Sequence, residues 1–187
     1  RRQSDQNGGI YKNINLYTFV DNHDEDRIMS KLRNKRHIFT VYAMLFSLPG
    51  IPSVYYGSEW GIEGARTSTC DEMLRPAIPP ERFPELDGEL SRHVAKLAHI
   101  HGEHPALCTG TYQELFLTNR QYAYARTLDG ERIVAVHNID DGPFSFSINT
   151  GGERALDLMT DEELPLEGGR LSLSLDGCTS RILKIVG

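Results

Sequence analysis

The 187-residue chain predicts two unlike parts, an α/β portion built on a parallel strand pair and then an all-β antiparallel sandwich. Three observations predict this class. Two apolar strand candidates flank a stretch of helical periodicity, which is the βαβ pattern. After Pro105 the pattern changes to short strands, many strictly alternating. Turn residues (Asn-Arg, Asp-Gly, Gly-Gly) punctuate those strands at short intervals.

In order, "INLYTFV" (14–20) is rich in β-branched and aromatic residues and predicts a strand. A single helix is predicted from Arg27 to Leu48, with Ile38, Val41, Tyr42, Leu45 and Leu48 on one face. Pro49-Gly50 stops it. "IPSVYY" (51–56) predicts the second strand, ended by Gly57. A Pro-rich loop over about 60–87 leads to a last helix with Leu90, Val94, Leu97, Ala98 and His101 on its stripe. Then come "TYQELFLT", "QYAYART", "RIVAVHNI", "FSFSIN", "ALDLM", "RLSLSL" and "RILKIV", with "TLDGER" as a two-residue hairpin turn. A two-stranded parallel sheet needs cover on both faces, so further strands are expected upstream and the chain reads as the tail of a larger protein.

Composition narrows the function. Apolar residues at 39% and charged residues at 25% fit an ordinary globular protein with a real core. A net charge of −6 excludes a general nucleic-acid binder, which needs a basic face. No apolar run reaches transmembrane length, so no membrane partner is expected. "RRQSDQNGGIYKN" is charged but has no apolar h-region, so no signal peptide is read there. Cys70, Cys108 and Cys178 are far apart and without zinc-knuckle spacing, so free thiols are expected. They lean towards a cytoplasmic rather than a secreted setting without fixing it.

Chemistry concentrates in "FVDNHDEDRI" (19–28), where Asp21, Asp24, Glu25 and Asp26 crowd around one Asn and one His at the end of a strand. In barrels of eight β/α units, catalytic residues sit at the C-terminal ends of the strands. "YYGSEWG" follows the next strand at the equivalent level. Asp24 or Asp26 could each cap the following helix; the cap is assigned to Asp26. Asp21, His23 and Asp24 are an alternative divalent-metal set, opposed by the alternation of neighbouring side chains on a strand. Tyr55, Tyr56 and Trp60 are candidate platforms for sugar rings, with at most one of the two tyrosines facing the site. Glu59 is assigned to support of the rim, Arg75 has a surface ion pair as its plain alternative, and His93, His99 and His104 are placed on helix surfaces or ends.

"FVDNHD" resembles the fourth conserved region of the α-amylase family of glycoside hydrolases, and "PGIPSVYYGSEWG" resembles the segment on that family's eighth barrel strand. "DEMLRP" (71–76) is similar to the family's Asp-x-x-x-Arg loop, and "HGEHPAL" to the exit of its last barrel helix. The resemblance implies the last β/α units of a (β/α)8 TIM barrel over 1–106 and the C-terminal antiparallel β-sandwich over 107–187. It also implies Asp24 as the carboxylate that stabilises the transition state and His23 as the imidazole at the cleavage subsite. Asp71 and Arg75 would hold glucose units on the non-reducing side, and Asn22 would orient its neighbours. The implied substrate is an α-glucan such as starch, maltooligosaccharide or cyclodextrin, cleaved with retention or transferred between glucans. The family's nucleophilic Asp and general-acid Glu lie on earlier strands, so the chain alone is expected to be inactive. No cofactor and no metal ligand is implied in this chain; a structural calcium would belong to the missing part of the parent. Self-association through exposed strand edges is expected. Readings from other classes are a non-catalytic carbohydrate-binding or scaffold module and a metal-dependent hydrolase centred on "DNHDED".

Overall fold

The computed structural model describes Tyr11, residues 14–68 and residues 70–187. The segment read for a signal peptide, Tyr11 apart, lies outside them. The first part is a parallel pair, β1 (Tyr17–Thr18) and β2 (Ile51–Pro52), joined through α1 (Ile28–Lys31) and α2 (His37–Ser47). The predicted strands 14–20 and 51–56 are thus much shorter in fact. Pro52 has no N–H to extend the ladder, and Gly50, at φ 139°, lies where a Cβ would meet the Thr18 side chain.

The single helix expected over 27–48 is broken in two. Leu32 turns to extended backbone, and the Asn34 side-chain oxygen accepts the N–H of Arg36 at 3.1 Å. An Asn that satisfies nearby backbone in this way competes with helix continuation. The 60–87 region holds two 3₁₀ turns and the short α3 (Phe83–Leu86) before α4 (Glu89–Glu103). On α4 the buried stripe is Val94, Leu97 and Ile100; Ala98, expected inside, is exposed. His93 Nε2 and His101 Nδ1 lie 3.1 and 2.7 Å from the Phe39 and Phe46 carbonyl oxygens of α2. His93 is therefore a half-buried contact between helices rather than a surface group, while His99 pairs with Glu103 on the surface. The short α5 (Pro105–Thr109) was not anticipated. His104 and the N–H of Ala106 at its start both bond Glu131, at 2.7 and 2.9 Å.

Eight strands follow: β3 (Thr111–Leu117), β4 (Gln121–Leu128), β5 (Glu131–Asn138), β6 (Phe144–Asn149), β7 (Arg154–Asp157), β8 (Glu163–Pro165), β9 (Arg170–Leu175) and β10 (Thr179–Val186). A six-stranded antiparallel sheet, in the order β3-β4-β5-β10-β7-β8, faces the pair β6-β9. β8, with three residues, is too short to show a period. The Asp129-Gly130 turn takes positive φ at both residues (47° and 88°), as the hairpin reading requires.

The large sheet is apolar on both faces. Ala123, Ala125, Val134, Val136 and Leu183 pack on Phe146, Ile148, Leu171 and Leu175 of the small sheet. Tyr124, Ile133, Ala135 and Ile182 point the other way, into one core with Ile38, Tyr42, Phe46, Leu97 and Leu107 of the helices. Through this second face runs a polar chain. His137 Nδ1 and Nε2 lie 2.8 and 3.0 Å from Ser180 Oγ and Tyr124 Oη, and Tyr124 Oη lies 2.7 Å from Ser47 Oγ on α2.

Burial pushes His137 from 6.5 down to about 3, so it is buried neutral. The unfolded chain then binds the extra proton between these values. Stability is complete above pH 6.5 and falls as the pH drops towards 3. His93, also lowered by burial, adds a loss of the same sign. Replacing His137 with Gln should flatten the acid limb of urea-unfolding free energy against pH, by at most ~1.4 kcal/mol per pH unit. An unchanged acid slope would contradict a neutral, buried His137.

Candidate functional site

The site lies where the chain leaves β1 and passes into α1. The N–H of Asp24 donates to Asn22 Oδ1 at 2.8 Å, a tight local turn that sets the Asp24 side chain outward. Arg75 Nη2 donates to Asp24 Oδ1 at 3.0 Å, and His23 Nε2 lies 3.0 Å from Asp24 Oδ2. Arg75 Nε also donates to the His23 carbonyl oxygen at 3.2 Å, whereas its contact with Asp71 Oδ2 is 3.5 Å. Asn22, His23, Asp24, Asp71 and Arg75 therefore come together, with Asp24 as the hub and Asp71 at the margin. The Asp24 side chain is 58% exposed, and a pair so open to water adds little stability. What the pair fixes is direction.

Two expectations change. Asp26 does not cap α1: its Oδ1 accepts the N–H of Arg66 at 2.6 Å and holds the 64–68 loop. The acceptor for the start of α1 is Asp21, 2% exposed, whose Oδ2 takes the N–H of Ile28 and the Ser58 hydroxyl, both at 2.8 Å. Asp21 is thereby turned inward while His23 and Asp24 pair outside, so the three do not share one ligand sphere.

Beneath the site is a residue that sequence reasoning missed. Arg27 is fully buried, and its Nη1 donates to the Tyr56 carbonyl oxygen (2.6 Å) and Ser58 Oγ (3.0 Å) while Nη2 donates to the Leu74 carbonyl oxygen (2.8 Å). Its guanidinium carbon stands 4.3 Å from the Tyr55 ring centroid and 5.1 Å from that of Tyr56. The N–H of Arg27 donates to the Gly64 carbonyl oxygen at 2.9 Å. Gly64 has no alternative there, because a Cβ would strike the Met73 carbonyl. One cation thus ties "DNHDEDR", "YYGSEWG" and "DEMLRP" together. The available signal was an Arg three residues after the candidate Asp, facing two tyrosines across a turn.

Tyr17, Phe19, Asp21, Asn22, His23, Ser53, Val54 and Tyr55 line a cleft of ≈ 330 Å³. Tyr55, with Tyr17 and Phe19, gives that cleft its aromatic lining, and Tyr56 donates its hydroxyl to the Pro76 carbonyl at 3.0 Å. Trp60 stacks obliquely on Phe83 at 5.3 Å instead of entering the cleft. Burial, and then the Asp21 and Glu59 carboxylates, push the Tyr42 hydroxyl far above its usual range, and Glu59 itself is half-buried.

Comparison with known proteins gives the family. Residues 4–109 match the family model described as the α-amylase catalytic domain, and residues 112–182 match that of the maltogenic amylase C-terminal domain. Alpha-amylase 2 of Dictyoglomus thermophilum is 30% identical over 149 residues, covering 76% of this chain and 25% of the relative. A cyclomaltodextrin glucanotransferase of Bacillus sp. (strain 17-1) is 31% identical over 109 residues, covering 58% of this chain and 14% of the relative. A solved structure from Thermus thermophilus superposes with a TM-score of 0.76 at 30% identity, covering 90% of this chain and 35% of its own. An Anoxybacillus α-amylase gives a TM-score of 0.80 at 24% identity, covering 92% and 38%. The chain spans a quarter or less of these two curated relatives. With these two models matched over residues 4–109 and 112–182, the chain belongs to the α-amylase family.

Proposed function

We propose that this chain is the C-terminal part of an α-glucan-active retaining glycosidase and that Asp24 stabilises the transition state. The observation that carries this is the Asp24 carboxylate with both oxygens engaged, one by Arg75 and one by His23, the latter a lining residue of the cleft beyond β1. Breaking a glycosidic bond builds an oxocarbenium-like cation, and a carboxylate held in place before the reaction stabilises it without reorganisation. His23 faces the same cleft and offers a donor to a sugar hydroxyl, while Tyr55 supplies an apolar face for a pyranose ring. The nucleophilic Asp and the general-acid Glu come from upstream strands in this proposal, since retention needs both. Transfer between glucans is the second reading, favoured by the glucanotransferase among the relatives. Product analysis of the full-length protein with maltooligosaccharides separates the two: shorter linear products mean hydrolysis, and longer or cyclic products mean transfer.

Two outcomes are expected. The chain by itself should show no turnover of maltooligosaccharides, and in the full-length protein Asp24→Asn should lower kcat by about 10²–10³. Asp26→Asn should leave kcat near normal and loosen only the 64–68 loop. Equal kinetic loss from both substitutions would sink the assignment of Asp24.

We propose also that the isolated chain self-associates through its parallel pair. Tyr17, Phe19 and Ile51 are 66%, 43% and 52% exposed, and β1 and β2 have only each other as partners among the described residues. Light scattering over a concentration series should show growing mass. A constant monomer mass would contradict it.

A further inference from the structure

The seam between the helices and the β-sandwich holds a cluster of potential metal-ligand side chains, none of which lines the cleft. His37 begins α2, Asp141 lies in the loop between β5 and β6, and Cys178 lies in the turn between β9 and β10. One donor atom from each falls within 4.8 Å of the others. Cys178 Sγ is 3.9 Å from Asp141 Oδ1. From these donors we infer a divalent-metal site of the zinc class that staples α2 to the two loops of the sandwich.

The donor set selects the ion. Thiolate, imidazole and carboxylate together suit zinc or its cobalt analogue, whereas calcium and magnesium take oxygen ligands throughout. Zinc bond lengths put tetrahedral donor atoms roughly 3.3–3.6 Å apart, so the cluster must close by about an ångström. Asp141 is exposed and supplies that movement. A partial positive charge already stands between two of the ligands: Asn34 Nδ2 donates to Asp141 Oδ1 at 2.9 Å and to Cys178 Sγ at 3.4 Å. The amide holds them near the separation a cation would use, and metal would displace it.

The surrounding backbone fixes the other two donors. His37 Nε2 lies 3.1 Å from the Ile139 carbonyl oxygen, which anchors the ring beside the β5–β6 loop. Cys178 is 4% exposed, and its backbone sits at φ 59°, a conformation uncommon for a residue with a side chain. Its N–H donates to the Asp140 carbonyl oxygen at 2.9 Å, which keeps the turn against the Asp141 loop. Arg36 donates to the Gly177 carbonyl oxygen at 3.2 Å and places a positive charge nearby. Three ligands beside an arginine should bind more weakly than a four-ligand structural zinc site.

Cobalt(II) titration of the purified chain tests this without any appeal to catalysis. A thiolate–cobalt charge-transfer band should grow to one equivalent, bleach on adding zinc, and be accompanied by a higher melting temperature in zinc. Cys178→Ser should abolish the band, and Asp141→Asn and His37→Gln should each weaken binding at least about tenfold, the scale seen even for lost outer contacts. Cys70→Ser, at the exposed thiol, should change nothing, and Asn34→Ala should leave binding intact or tighter. No band at millimolar cobalt, or a band that survives Cys178→Ser, would overturn the site. Should Cys178→Ser fail to fold, Asp141→Asn decides alone, because its exposed side chain can change without disturbing the core; unchanged affinity there also overturns the site.

Discussion

Burying the Arg27 guanidinium requires that its Nη donors meet oxygens, and those oxygens lie on loops far apart in sequence. Tyr56, Ser58 and Leu74 provide them, and the faces of Tyr55 and Tyr56 complete the cage. A buried charge with its partners removed is strongly destabilising, so the three loops cannot drift independently. Asp21 extends the same network by accepting from Ser58 and from the first turn of α1. Asp24 and Arg75 gain little from their own exposed contact. They meet because Arg27, three residues after one of them and bonded to Leu74 beside the other, has already placed their backbones.

The second constraint is the double-sided sheet. β4 and β5 bury successive residues, apolar on one face towards β6 and β9 and mixed on the other towards α2 and α5. Tyr124, Arg126 and His137 lie on the helix-facing side, and each reaches α2 directly or through one hydroxyl. Helices and sandwich therefore share one core across residue 106. The loops carrying the site are mounted on α2 and α4, so the sandwich braces the site although none of its residues faces the cleft.

Sequence patterns reveal much of this and fail for definable reasons. The hairpins of the sandwich are legible because alternation and Asp-Gly turns act locally. The turn bearing Asn22, His23 and Asp24 stands out in the sequence because one helix cap would not need four acids, an Asn and a His together at the end of a strand. The break at Asn34 is not, because it depends on the Asn34 side chain bonding Arg36, Asp141 and Cys178. The exchange of roles between Asp21 and Asp26 depends on Ser58 and Arg66, which are remote in sequence. Arg27 is hidden for a similar reason, since a basic residue in a charged run reads as solvated until its partners are known.

Hydrogen exchange on Arg27→Met tests most directly whether this one cation organises the site. Met keeps most of the side chain's volume but none of its donors. Exchange should become faster only in residues 21–31 and 56–75, with β4, β5 and β10 as protected as before. Unchanged protection in those loops would contradict it, and so would a loss spread evenly through the sandwich.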